Sequence, residues 1–257
     1  TQQGDLLAII SLRRRAATWE PVSLQTISGY IAPAASEDGL RLALRSLGRE
    51  VQVPFGLSAD VLKLMPRTSW TYDYVEIDLR SDYQSHWLRN GRKHHKHVRS
   101  AETKCAGMDL RFDDNDDLEW IVNQWRTQWA HDEEKEICAA DDRIRFWKSL
   151  GAPSRDSGKL GVQVVQLLDG DKRVAGVIDT YRGDDVQGQC MARLDEYRRA
   201  GPGTRALAAS MERGAERGFR TLNMGGGDYK NLWGPLAGKR YGAIFRPASV
   251  EWLHRLN

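Results

Sequence analysis

The sequence has 257 residues, of which 40% are hydrophobic and 28% charged, and its formal net charge is +3. This length allows one large domain or two small ones, and the composition is that of a globular protein with a sizeable core. It contains no apolar run near the roughly 18 residues that a transmembrane helix needs. The first ten residues lack the pattern of a signal peptide, and the net charge is too small to indicate nucleic-acid binding by itself. We therefore expect a cytoplasmic protein without a membrane span.

The cysteines and the clustered histidines do not predict a disulfide or a metal site. Cys105, Cys138 and Cys190 are far apart and odd in number, which argues against a disulfide framework and against a CxxC metal site. We expect buried or idle thiols in a reducing compartment. The histidine cluster 94–97 has no i, i+4 pair and no carboxylate at zinc-site spacing, so no bound metal is expected.

The first third of the chain alternates predicted strands and helices. Ser36 is suited to cap a helix whose leucines share one face, and Pro66 ends a second, shorter helix. The predicted strands cover Leu6–Leu12, Pro21–Thr26, Val51–Phe55 and Tyr74–Leu79, and the predicted helices cover Glu37–Leu47 and Ser58–Met65.

A basic helix is predicted to follow, capped by Ser81 or Asp82. Its apolar stripe of Tyr83, Trp87, Leu88 and Val98 indicates that one face packs against the rest of the protein. The other face is dense in Lys and Arg. Such a face is most often just solvated, while an anionic substrate or tRNA as its ligand is the alternative. The basic residues are Arg89, Arg92, Lys93, Lys96, Arg99 and Lys104.

Next come a strand at Met108–Phe112 and two helices, one capped by Asp116 or Asp117 and the other over Asp141–Leu150. The first helix carries a long apolar stripe at core-facing spacing. Its tryptophans are expected in the core, with one or two lining an acceptor pocket as the alternative. The tryptophans of these two helices are Trp120, Trp125, Trp129 and Trp147.

The second half of the chain predicts an antiparallel meander and then a helical crossover. Short Asp- and Gly-rich turns separate the apolar runs Val162–Leu168, Arg173–Tyr181 and Val186–Leu194. A Gly-Pro-Gly loop, the helix Thr204–Arg217 and the strand Phe219–Met224 follow. Hairpin strands followed by a crossover indicate a mixed α/β sheet.

The loop Arg198-Arg199-Ala200-Gly201-Pro202-Gly203 lies between a predicted strand and a helix. Its glycines let the backbone approach a ligand, and the amides and dipole of the helix favour an anion such as a pyrophosphate. Arg198, Arg199 and Arg205 add positive charge. A glycine-rich turn can also be a simple connection, so the loop alone does not establish phosphate binding.

The run from Leu194 to Leu207 resembles the acyl-CoA signature of the GNAT superfamily: Arg or Gln, two residues, Gly, one residue, then Gly or Ala. Members of that family hold the pyrophosphate of coenzyme A on the amides of this loop. Pro202 departs from the pattern because it removes one amide donor. The donor-binding residues that the resemblance implies are Arg198, Arg199, Gly201, Gly203 and Thr204.

A second stretch, Phe219 to Gly234, is similar to the end of the acetyltransferases associated with cellulose biosynthesis. Those proteins share with the FemABX peptidyltransferases a strand, a glycine, an acidic residue, then Tyr-Lys and an aromatic residue. They also carry a Pro-Gly before the helix, as at Pro202-Gly203. The resemblance extends over roughly Val51 to Gly234.

The resemblance implies direct attack of an acceptor amine or hydroxyl on a thioester or ester carbonyl, without a covalent enzyme intermediate. The strand Val174–Thr180 would supply a backbone amide to the developing oxyanion. A general base would accept the proton of an attacking ammonium.

Three consecutive residues are the catalytic candidates. Asp228 is the first choice for the base because it follows three glycines at a strand end, although Gly-Gly-Gly-Asp also suits a turn. Tyr229 would protonate the leaving thiolate or orient the donor, and Lys230 would hold a phosphate or carboxylate. Asp195 and Glu196 are weaker candidates for the base or an acceptor contact.

The predicted fold class is α/β: a GNAT-like mixed, mostly antiparallel sheet flanked by helices, as two GNAT-like halves of which the first is incomplete. The divisions are residues 1–80 for a partial N-terminal half, 81–104 for the basic connecting helix, and 105–257 for the donor-binding half.

The expected partners are acyl-CoA as co-substrate, with no tightly bound cofactor, and a small-molecule, peptide or saccharide acceptor. An aminoacyl-tRNA donor, as in the FemABX type, is the alternative that the basic helix favours. A degenerate domain that only binds a partner is a third interpretation. A second copy of the chain that completes the acceptor site, as a homodimer, also stays open.

Overall fold

The computed structural model describes residues 8–9, 12–15, 18–21, 30–31, 50–57, 68–80, 92–113, 115–130, 141–150, 160–225, 230, 232–234 and 236–245. The chain divides into two compact units, Thr1–Asp73 with Gly238–Asn257, and Tyr74–Ala237. The predicted divisions at residues 80 and 104 stay predictions. None of the helices in the described ranges combines the length and the apolar character that a membrane crossing requires.

The first unit consists of strands in its described parts. β2 pairs antiparallel with β3, β3 parallel with β5, and β5 antiparallel with β12, while β1 and β4 form a separate two-stranded pair. The strands are β1 (Ala8–Ile9), β2 (Leu12–Arg15), β3 (Thr18–Pro21), β4 (Tyr30–Ile31), β5 (Glu50–Leu57) and β12 (Leu236–Phe245).

The second unit is built on a sheet with the strand order β6-β11-β10-β9-β8-β7. All neighbours in this sheet are antiparallel except β10 and β11, which are parallel. The strands are β6 (Thr68–Asp78), β7 (Asp109–Phe112), β8 (Leu160–Asp169), β9 (Lys172–Arg182), β10 (Asp185–Arg193) and β11 (Thr221–Gly225). The predicted mixed, mostly antiparallel sheet flanked by helices is therefore confirmed.

Helices cover both faces of this sheet. α1 (Arg92–Lys104) and α4 (Pro202–Glu216) pack on one side, here called the α4 face, and α2 (Asn115–Gln128) and α3 (Asp141–Ser149) pack on the other, the α2 face. Each face has its own apolar core, because side chains alternate between faces along a strand. Tyr181 and Phe219 are fully buried in the α4-face core, with ring centroids 4.1 Å apart.

Glycines with positive φ make the tight connections that the sequence predicts. Gly170 (φ 58°) turns β8 into β9, and Gly183 (φ 57°) turns β9 into β10. Such left-handed backbone is costly for residues with a Cβ. The meander β8-β9-β10 and the crossover through α4 agree with the sequence, with strand ends shifted by one or two residues.

The apolar stripe of the basic helix is confirmed where the structure describes it. Val98, Ala101 and Cys105 are buried in α1 or at its end, while Lys96 and Arg99 are exposed. Trp147 is buried, and Trp120 and Trp125 pack partly buried against the α2-face core, as predicted. The predicted helices 37–47 and 58–65, the helix start at 81–91, and Cys138 lie outside the described residues.

Candidate active site

The predicted donor loop, Arg198–Gly203, is not a separate loop: it consists of the end of a 3-10 helix, Asp195–Ala200, the turn at Gly201, and the first two residues of α4. Pro202 occupies the first position of α4, where an amide would have no partner within the helix and where its fixed φ suits the helix. The first helical bond runs from the Arg205 amide to the Gly201 carbonyl, at 3.1 Å. The amides of Gly203 and Thr204 therefore remain in the first turn as donors for an anion.

Gly201 is required for two separate reasons. Its φ is 76°, and a Cβ there would lie 3.2 Å from the Ala101 Cβ of α1. The basic helix thus packs directly on the loop. Lys104 Nζ donates to the Arg199 carbonyl at 3.1 Å, and Cys105 Sγ lies 3.7 Å from the Ala200 carbonyl oxygen. α1 therefore holds the loop in place as well as carrying charge.

The charged side chains of the loop fall into two groups. Arg198 and Arg199 are exposed at the end of the 3-10 helix, whereas Arg205 is half-buried and paired with Glu212 at 3.4 Å. The alternative bases Asp195 and Glu196 are exposed and lie near Arg193 and Lys172, respectively.

β10 and β11 stop pairing with each other before the chain reaches this loop. Their parallel pairing covers Asp185–Gln187 with Thr221–Asn223, and β10 has a bulge between Gly188 and Cys190. Beyond it, the described pairing of β10 is with β9 alone. We call the opening between Gly188–Arg193 and the end of β11 the splay. A Cβ at Gly203 would lie 3.4 Å from Met191 Sδ, so the start of α4 stands against this part of β10.

The strand that opens is β10, and the prediction that Val174–Thr180 supplies the oxyanion amide was wrong. Those residues lie in β9, which pairs with β8 on one edge and with β10 on the other. Their amides face paired neighbours on both sides. Sequence alone predicts a strand, but which strand has an open edge depends on the tertiary pairing.

Two glutamines of α2 bond to the open edge of β10, a feature that the sequence analysis missed. The Arg193 amide donates to Gln128 Oε1 at 3.1 Å, and Gln124 Nε2 donates to the Arg193 carbonyl at 3.1 Å. The Leu194 amide instead donates towards β9, to Val174, at 2.8 Å. Because bonding direction alternates along a strand, the amide of Met191 shares the outward direction of Arg193 and points into the splay.

Lys230 lies at the end of β11. Its half-buried ammonium group donates a hydrogen bond to the Met224 carbonyl. The parallel strands β10 and β11 end at the same edge of the sheet, so Lys230 and the donor loop lie at that edge. Asp228 and Tyr229 lie outside the described residues.

A buried polar network lies under α4 beside the splay. Ser210 Oγ donates to Asp179 Oδ2, Gln163 Nε2 donates to Ser210 Oγ at 3.0 Å, and Arg217 donates to Gln163 Oε1 at 3.0 Å and to Asp113. Within the described part of the chain, Asp179 Oδ1 has no hydrogen-bond partner. Burial raises the pKa of Asp179 to about 7, and the Ser210 hydroxyl offsets part of that rise.

Replacing Asp179 by Asn is expected to remove a pH dependence of stability. A carboxyl whose pKa is about 7 when folded and about 4 when unfolded destabilises the fold as pH rises between these values. The free energy of unfolding of the wild type should fall by something on the order of 4 kcal/mol between pH 4 and 7 from this group. Asp179→Asn should therefore gain stability over the wild type as pH rises. Urea unfolding at pH 5 and pH 8 measures this, and an equal difference at both pH values would contradict it.

The family described as "Acetyltransferase (GNAT) domain" matches residues 92–231, more than half of the chain. The chain belongs to this GNAT family. The matched range begins with α1 and ends just after Lys230, so it contains the donor loop, the splay and the catalytic candidates. No curated protein sequence matches the chain.

Solved structures share the GNAT fold at low sequence identity. FemX has a TM-score of 0.62 and 10% identity, over 98% of this chain and 88% of that one. L-PGS from Bacillus licheniformis has a TM-score of 0.59 and 11% identity, over 98% and 87%. A tandem GNAT protein from the clavulanic acid biosynthesis pathway has a TM-score of 0.52 and 11% identity, over 96% and 81%. These likenesses support the predicted FemABX-like and tandem GNAT resemblance in fold.

Proposed function

We propose that this GNAT protein transfers an acyl group from acyl-CoA to an amine or hydroxyl acceptor by direct attack. The observation that carries the proposal is the start of α4, where Gly203 lies against the Met191 and Arg193 side chains of β10 and where the amides of Gly203 and Thr204 belong to the first turn, which has no partners within the helix. An anion binds where free amides and the positive helix end coincide. The exposed guanidinium groups of Arg198 and Arg199 add charge for the pyrophosphate.

The splay is the proposed binding region for the rest of the donor. The acyl carbon of a donor whose pyrophosphate sits at Gly203 would lie between β10 and β11, beside the outward amide of Met191. This amide would stabilise the oxyanion that forms when the acceptor attacks, since a fixed donor needs no reorganisation during the reaction. Collapse of the tetrahedral intermediate breaks the C–S bond and releases coenzyme A as the thiol.

The proton transfers are assigned to the residues after β11. Asp228 accepts the proton of the attacking group, and Tyr229 protonates the leaving thiolate or orients the donor. Lys230, at the edge of the sheet that also carries the donor loop, holds a phosphate or carboxylate. In this mechanism the enzyme forms no covalent intermediate.

An aminoacyl-tRNA donor is the second candidate, and the exposed face of α1 favours it. Lys96 and Arg99 are exposed on the helix that packs against the donor loop. A donor with many phosphates would meet these charges next to the loop. A degenerate domain that only binds a partner is the third candidate, and it predicts no transfer at all.

One assay separates the three candidates. Radiolabelled acetyl-CoA and radiolabelled aminoacyl-tRNA are offered in parallel with a mixture of amine and hydroxyl acceptors. We expect label to move to an acceptor from acetyl-CoA with release of one thiol per product, and the double variant Lys96→Glu, Arg99→Glu to keep that activity at physiological salt. Transfer only from aminoacyl-tRNA, lost in the double variant, would establish the second candidate, and binding without transfer would establish the third.

A further inference from the structure

The end of β10 is held by two side chains of α2. Arg193, the last residue of β10, donates its amide hydrogen to Gln128 Oε1 at 3.1 Å, and its carbonyl accepts from Gln124 Nε2 at 3.1 Å. Because a backbone N–H only donates and a carbonyl only accepts, these contacts also determine which way each glutamine amide is turned. We call Gln124 and Gln128 the glutamine pair.

The glutamine pair takes the place of a neighbouring strand. Arg193 directs its amide and carbonyl away from β9, since the next amide, that of Leu194, bonds to Val174 on the β9 side. In a continuous sheet, both outward groups would pair with the next strand. The described pairing of β10 with β11 ends at Gln187 with Asn223, before the bulge, and the side-chain amides of α2 satisfy Arg193 instead.

A glycine in β9 lets α2 come close enough for these contacts. A Cβ at Gly176 would lie 2.5 Å from both Cδ1 and Cγ1 of Ile121, closer than real side chains approach. Gly176 is the register partner of Ala192, the residue before Arg193. Ile121 is fully buried, and positions 124 and 128 follow it on the same side of the helix. The packing of α2 therefore brings both glutamines to the edge of β10.

Arg193 connects the glutamine pair to the start of α4. Its side chain lies on the α4 side, where a Cβ at Gly203 would be 3.7 Å from Arg193 Cδ and 3.4 Å from Met191 Sδ. Its backbone is held from α2, and the 3-10 helix of the donor loop begins two residues later. A shift of Arg193 would therefore move the edge of β10 relative to the start of α4.

The bonded state of Arg193 decides which part of the β10 edge a ligand meets. Met191 is the outward-facing residue two positions earlier, roughly 7 Å along the strand. The outward groups of Arg193 are already bonded to side chains. A ligand in the splay would therefore meet the amide of Met191 and not that of Arg193.

We propose that Gln124 and Gln128 are positioning residues for the donor. They satisfy the edge of β10 at Arg193 without a partner strand, and they align the Met191 amide with the start of α4. This inference rests on the proposed function, because the ligand of the splay is taken to be the acyl-bearing arm of acyl-CoA. Neither glutamine is assigned a contact with the donor, so their effect on binding passes through the backbone of Arg193.

Changing each glutamine to glutamate gives two matched variants. Gln128→Glu keeps an acceptor for the Arg193 amide, so acetyl-CoA should bind it about as tightly as it binds the wild type. Gln124→Glu loses the donor and places a carboxylate against the Arg193 carbonyl. The free chain then relieves this contact by moving the edge, which donor binding has to restore. Its Kd for acetyl-CoA should therefore rise about 10-fold or more.

The two variants add the same charge to the same side of one helix, so repulsion of an anionic donor does not distinguish them. ADP, which carries a pyrophosphate without the arm of coenzyme A, separates positioning from a general loss of structure. Its Kd should be the same in the wild type and in both variants, because the first-turn amides of α4 are unchanged. Calorimetric titrations give the Kd values, and thermal melts without ligand check folding.

Gln124→Ala removes the same donor without adding charge and should show a loss of the same kind, which keeps the test decisive if Gln124→Glu does not fold. Unchanged acetyl-CoA binding in a folded Gln124 variant, equal losses in the two glutamate variants, or an equal loss of ADP binding would overturn the inference. The wild type would still bind acetyl-CoA in each of these outcomes, so the proposed function would stand. If the wild type does not bind acetyl-CoA, the proposed function fails and this inference fails with it.

Discussion

Replacing Asp228 by Asn is expected to lower turnover about 10²–10⁴-fold, the usual contribution of a general base. The variant keeps the size of the side chain and its suitability for a turn, but it cannot accept the proton of an attacking ammonium. The loss should shrink as pH rises, because the acceptor amine then deprotonates without help. Steady-state rates between pH 6.5 and 9.5, with acetyl-CoA saturating, measure the effect.

Two variants serve as controls for this experiment. Asp195→Asn removes an exposed carboxylate 3.7 Å from Arg193 and should leave turnover nearly unchanged. Lys230→Met should raise a KM more than it lowers turnover, because it removes binding that is equal in ground and transition states. Full activity of a folded Asp228→Asn across this pH range would show that the base lies elsewhere, or that the acceptor arrives neutral.

Replacing Gly203 by Asp is expected to abolish acetyl-CoA binding. A Cβ at this position would meet Met191 Sδ at 3.4 Å and Arg193 Cδ at 3.7 Å, which are ordinary contacts. A carboxylate in the first turn also suits the helix dipole. It would, however, occupy the place of the pyrophosphate and repel it, so Kd should rise at least about 100-fold.

Gly107→Asp is the matched control for the loop variant. A Cβ there has nothing within 4 Å, and Gly107 is exposed at the end of the basic helix, so the same substitution adds the same charge away from the splay. Thermal melts with and without acetyl-CoA should show ligand stabilisation in Gly107→Asp and none in Gly203→Asp. Equal stabilisation of both variants by acetyl-CoA would show that the pyrophosphate does not bind at the start of α4.

Local sequence was sufficient for the meander and for the position of the connection before α4. Asp169-Gly170-Asp171 and the loop to Gly203 use residues whose backbone preferences act within a few positions, so their structure can be predicted without the rest of the chain. The burial of Val98 on the basic helix likewise follows from helical spacing alone. The start of α4 at Pro202 rather than Thr204 follows the preference of proline for the first helical position.

The parts that the sequence did not reveal depend on which elements become neighbours. In the sequence, Gln124 and Gln128 occupy polar positions of an amphipathic helix. Only the packing of α2 brings their side chains to the backbone of Arg193. Asp179 follows the apolar run Val174–Ile178 in β9, and its partner Ser210 is 31 residues away. The wrong assignment of the oxyanion amide to Val174–Thr180 has the same cause, because the whole sheet decides which strand has an open edge.

Calorimetric titration of the wild-type protein with acetyl-CoA tests most directly whether an acyl-CoA binds at the start of α4. We expect a one-to-one complex that also stabilises the fold, by about 2.7 kcal/mol when the free ligand is 100 times Kd. Absence of heat and of any shift in melting temperature with acetyl-CoA, in a protein that binds aminoacyl-tRNA under the same conditions, would contradict it.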